Sequence, residues 1–135
     1  LQAKKESKKE ILIAGSLPTR GVTYQAHQHY KENEVYQEFH QTAKELNPFV
    51  DFFYLDVLCS TSEIITALDS IKNFNKPVLL GLHFRKNFLL PSGESIDDVS
   101  NAIKDFNCAG LMSSCVSPEI YEGVSPALKK QTLLN

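Results

Sequence analysis

Four apolar runs, separated by segments of helical periodicity, constrain this chain more than any single residue. The runs are Ile11 to Ala14, Val50 to Leu58, Val78 to Phe84 and Cys108 to Met112. The first ends in Gly15-Ser16-Leu17-Pro18, the pattern of a strand buried on both faces that stops in a loop. The second is rich in aromatic and β-branched residues, which favours strand over helix. Between the runs, Val35, Phe39, Ala43 and Leu46 form one apolar helix face, as do Ile64, Leu68 and Ile71, and again Ile96, Val99, Ile103 and Phe106. Asn47-Pro48 ends the first of these helices. Ser60 stands three residues ahead of Glu63 as a capping box, Ser95 is a cap, and Ser117-Pro118-Glu119 starts a last helix. Strands about 30 residues apart with helices between them pair in parallel through right-handed crossovers. The expectation is an α/β chain of about four parallel (β/α) units. An open doubly wound sheet fits this order, and so does half of an eight-stranded barrel.

Composition narrows the function classes. A formal charge of −2, with basic residues scattered outside Lys4 to Lys9, gives no electrostatic footprint for nucleic acid. The longest apolar stretches fall far short of the roughly 20 residues that cross a bilayer, and no signal-peptide pattern opens the chain, so the expected location is cytoplasmic. Cys59, Cys108 and Cys115 are an odd number without paired spacing, which points to reduced thiols. The first ten residues are polar and lysine-rich, a solvated face or frayed helix.

Position singles out Cys115. It follows the fourth run and precedes a helix start, placing a thiol at the carboxyl end of a strand, where α/β barrels carry their chemistry. Asp51 and Asp56 lie in an otherwise apolar run, where a carboxylate requires a partner. His83 falls within the third strand, His27 and His29 alternate on a loop, and His40 belongs to a helix; none forms a metal-ligand pattern. The first turn has neither a GxGxxG nor a GxxxxGK[ST] phosphate loop, and no GxSxG elbow or HExxH helix occurs. A small flavodoxin-like protein is therefore the weaker reading.

Four segments arrive in one order and at one spacing: Ile13-Ala14-Gly15-Ser16-Leu17-Pro18, Asp51-Phe52-Phe53-Tyr54-Leu55-Asp56, Lys76-Pro77-Val78 with Ser92-Gly93-Glu94-Ser95, and Ser114-Cys115-Val116-Ser117-Pro118-Glu119. Together they resemble the middle of a homocysteine S-methyltransferase domain, over roughly Ile11 to Tyr121. The resemblance implies a (β/α)8 TIM barrel in which zinc holds the homocysteine sulfur. A methyl group from S-methylmethionine, S-adenosylmethionine or betaine would then give methionine. It makes Cys115 one zinc ligand, Asp56 the binder of the substrate ammonium, and Gly15 and Ser16 pocket lining. Residues 1–10 would be a polar segment and 11–135 a partial barrel domain lacking the family's first two and last two strands.

Coordination to zinc deprotonates a thiol whose ordinary pKa is about 8.5. Three departures from the family stand out: the adjacent cysteine pair that supplies its other ligands has no match, Asp56 replaces a glutamate, and Ser114 replaces the asparagine before the cysteine. The residues alone leave each role open. Cys115 is a ligand or a small packing residue, Asp56 binds a ligand or pairs within the sheet, and Gly15 serves a pocket or a turn. Two functions compete: a thiol methyltransferase, and a non-catalytic half-barrel that binds or assembles. Either exposes two strand edges, so self-association is expected.

Overall fold

The computed structural model of the chain describes residues 2–19, 24–26 and 31–131. His27 and His29 lie outside the described residues. The described elements run α1 (Gln2–Glu6), β1 (Ala14–Pro18), α2 (Glu32–Leu46), β2 (Phe52–Leu58), α3 (Thr61–Ile71), β3 (Val78–Leu82), α4 (Ile96–Ile103), β4 (Cys108–Ser113) and α5 (Pro118–Lys130). Short 3-10 turns, Asn47–Phe49 and Lys72–Phe74, follow α2 and α3. The strands form one four-stranded sheet in the order β1-β2-β3-β4, every pair parallel. The expected repeat of parallel (β/α) units is present.

One strand lies elsewhere than its apolar run. The stretch expected to be the loop after the first strand is the strand itself, paired from Ala14 against Phe52 to Pro18 against Asp56. The run Ile11 to Ala14 only leads into it: Ile11 and Leu12 are 37% and 63% exposed, and the Ile13 carbonyl accepts the Asp51 amide at 2.8 Å. Pairing with β2 sets this register, and local hydrophobicity does not. Pro18 is tolerated because β1 is an edge strand of the described sheet, where a missing N–H costs no ladder bond. The third strand likewise stops at Leu82, so His83 stands just beyond it, although its amide still donates to the Leu58 carbonyl at 2.9 Å.

Alternation assigns the two faces of the sheet. Leu17, Phe53, Leu55, Val78 and Leu80 join one core with Val35, Phe39 and Ala43 of α2, Ile64, Ala67 and Leu68 of α3, and Val99 and Ile103 of α4. Burying each of the larger aliphatic side chains contributes about 1.5–3 kcal/mol. Gly15 belongs to this helix-covered face: a Cβ there would lie 3.1 Å from both Phe53 and Val50. The opposite face carries Ser16, Tyr54, Asp56, Gly81 and Met112, as the register shows. Ser16 and Met112 on it are exposed.

The helix starts follow local chemistry. Ser60 accepts the Glu63 amide at 3.2 Å, but the Glu63 carboxylate takes the Cys59 amide, also at 3.2 Å, so the expected box closes one residue early. Ser95 with Asp98 forms a complete capping box on α4. The lysine-rich start is partly tied down, since Lys4 pairs with Asp51 at 2.5 Å and Asp51 also accepts the Ile13 amide at 2.7 Å.

Candidate functional site

The carboxyl ends of β2, β3 and β4 bring Asp56, His83, Ser114 and Cys115 to one edge of the sheet. A β-bulge interrupts the β2 ladder between Leu55 and Leu58, with Val57 at φ 58°. A β-branched residue in the left-handed region is a strained outlier. The bulge buries both Val57 and Leu58 and leaves Asp56 partly exposed on the uncovered face. Cys115 is likewise left-handed, at φ 53°, where the chain turns out of β4 toward α5.

Ser114 ties these groups together. Its hydroxyl donates to Asp56 Oδ1, accepts the Tyr54 hydroxyl at 3.3 Å and lies 4.0 Å from Cys115 Sγ. The Ser114 carbonyl is 3.3 Å from His83 Nδ1, and the His83 ring lies 4.7 Å from that of Tyr24. The neighbouring Cys115 thiol raises the pKa of the Tyr24 phenol. Burial raises the Tyr54 pKa; the Ser114 bond opposes this and the Asp56 carboxylate adds to it. Among the described residues Asp56 forms no ion pair. Among the described residues the Asp56 carboxylate accepts from the Ser114 hydroxyl, and a carboxylate so placed can also take a cationic partner.

The three cysteines separate clearly. Burial pushes the Cys59 and Cys108 thiols up to about 11. Cys59 also donates to the Val57 carbonyl at 3.3 Å, and Cys108 opens β4 at the other end of the sheet. Cys115 is exposed, so it is not a small buried packing residue. Ser16 shares the face of Tyr54, its partner in the ladder, but sits on the far strand from Cys115. Gly15 faces the helices. His40 is taken up by the Ser70 carbonyl at 2.7 Å and by ring stacking with Tyr36 and Phe74.

Zinc requires about four donors, three of them from protein in an open site. Among the described residues no group of three or more His, Cys, Asp or Glu side chains is arranged to hold a metal. Cys115 offers one soft donor, and the described residues do not complete a zinc shell.

Tyr54, Gly81 and Tyr24 escaped the sequence reading. Two signals existed for the first pair: Tyr54 is two residues from Asp56 and so shares its face, and a glycine inside an apolar strand marks a close approach. A Cβ at Gly81 would lie 2.4 Å from the Tyr54 hydroxyl.

A parallel sheet of (β/α) units with polar side chains gathered at the strands' carboxyl ends is an α/β fold built from the unit that (β/α) barrels repeat. A profile of the homocysteine S-methyltransferase family matches residues 1–134, and the chain belongs to that family. Among solved structures, the fold is similar to the crystal structure of the homocysteine methyltransferase MmuM from Escherichia coli in its apo form. The TM-score is 0.73 at 20% identity, over 91% of this chain and 46% of that one. The chain thus spans less than half the length of this neighbour. A comparison with curated proteins found no match. Among the described residues no helix is long and apolar enough to cross a membrane.

Proposed function

We propose that this chain contributes the amino-acid-binding side of a homocysteine S-methyltransferase, a cytoplasmic enzyme making methionine from homocysteine and a sulfonium or betaine-class methyl donor. Asp56 receives the substrate ammonium, Ser16 lines the same face, and Cys115 is the one donor this chain offers to the family's zinc. Gly15 takes part only through its backbone. One observation carries the reading: the Ser114 hydroxyl bonds the Asp56 carboxylate and stands 4.0 Å from the Cys115 thiol. A cation-binding group and a soft sulfur donor thereby meet at one mouth, as an amino acid with a side-chain thiol requires.

Calorimetric titration with homocysteine tests this reading. Loss of a hydrogen bond to a charged group costs about 1.5–3 kcal/mol, so Asp56→Ala is expected to weaken binding by roughly 10- to 100-fold. Unchanged affinity removes Asp56 from the site, and no binding by the wild-type chain removes the substrate. The second reading, a non-catalytic half-barrel for binding or assembly, draws on the incomplete donor set among the described residues. Near-stoichiometric zinc in the purified chain, lost in Cys115→Ser, would exclude it.

A further inference from the structure

Asp56 lies in β2 and Ser114 just past the end of β4, strands that are not neighbours because β3 runs between them. Two strand spacings are roughly 10 Å, too far for a serine and an aspartate to meet across an ordinary third strand. The residue of β3 at this level is Gly81, paired with Met112 in β4. Tyr54 lies directly over it: a Cβ on Gly81 would meet the phenol at 2.4 Å from the oxygen, 2.9 Å from Cζ and 3.0 Å from Cε2. Such contacts are closed to any residue with a side chain. The tyrosine therefore reaches across β3 through the one gap that its neighbour lacks a side chain to fill, and its hydroxyl arrives at Ser114 Oγ. Ser114 is 7% exposed, so its hydroxyl depends on protein partners more than on water.

We propose that Tyr54, seated on Gly81, is a positioning residue that holds the Ser114 hydroxyl against Asp56 and so sets the placement of the Asp56 carboxylate relative to the Cys115 thiol. Accepting from Tyr54 leaves the single Ser114 proton free to point at Asp56 Oδ1, so the relay runs in one direction. This inference rests on the homocysteine reading for its consequence but not for its geometry.

The test uses Tyr54→Phe, Ser114→Ala and the double variant, with two readouts. The first is homocysteine affinity by calorimetry. The second is the rate at which iodoacetamide alkylates Cys115, followed by peptide mass spectrometry without any substrate. Tyr54→Phe removes one oxygen and keeps the ring in place. Each single variant is expected to weaken homocysteine binding and to shift the Cys115 alkylation rate, by about 3- to 10-fold. Because Tyr54 acts through Ser114, adding Tyr54→Phe to Ser114→Ala should change neither readout further. A purely structural tyrosine would instead lower thermal stability without this coupling. Full additivity in the double variant, or an unaltered alkylation rate in Tyr54→Phe, overturns the relay. Coupled alkylation effects in a wild-type chain that does not bind homocysteine would uphold the relay and overturn the substrate assignment.

Discussion

The Ser114 hydroxyl reaches the Asp56 carboxylate over an intervening strand, joining residues 58 positions apart in the chain. Beside that bridge β3 presents Gly81, over which Tyr54 passes to donate to the same serine. A sheet whose faces are otherwise set by alternation thus acquires one crossing polar link, at the end where chemistry-bearing residues collect.

Gly81→Ala places a methyl group 2.4 Å from the Tyr54 oxygen and forces the phenol away. Overpacking of this kind costs about 1–3 kcal/mol, to be read from urea unfolding. Combining it with Tyr54→Leu, which withdraws the clashing atoms, should restore at least half of the loss. A Gly81→Ala chain as stable as the parent would show that the tyrosine is not confined there.

The cysteines should differ in reactivity under native conditions. Cys59 and Cys108, buried and with thiols pushed up to about 11, carry almost no thiolate near pH 7.5. Brief treatment with iodoacetamide is expected to label Cys115 alone. Comparable labelling of either buried cysteine before unfolding would contradict the packing around them.

The amino-terminal helix should loosen in acid. The Lys4 ammonium first, and then the Ile13 amide, hold the Asp51 carboxyl below its ordinary value. A carboxylate depressed in the folded state stabilises above its unfolded pKa of about 3.9 and loses that contribution as pH falls through the lower folded value. The exchange protection of the Ile13 amide should therefore be full near pH 6 and diminish below about pH 4, while Asp51→Asn lacks it throughout. Equal protection at pH 3 and pH 6 would rule out Asp51 as the anchor.

Self-association follows from the sheet itself. Within the described residues β1 and β4 each have one unpaired edge, and the uncovered face exposes Met112 at 41%. Free strand edges beside apolar surface recruit further chains. Sedimentation velocity at micromolar concentration is expected to detect dimers or larger species; a single monomeric boundary across the concentration range would refute it.

Most of the architecture was legible from residue order. Apolar runs alternating with helical faces, such as Val35, Phe39 and Ala43 in α2, dictate parallel (β/α) units, because each face must be buried and each crossover needs a helix. Ser95 caps α4, and Cys115 and Asp56 stand at strand ends, as spacing alone indicated. Two matters were decided only by tertiary structure. Ladder pairing with β2 made Ala14–Pro18 the strand in place of the more apolar run before it, since register belongs to a pair of strands and not to one. The link from Tyr54 over Gly81 to Ser114 and Asp56 joins three strands, and local periodicity fixes which face a side chain takes but not which distant side chain it meets there.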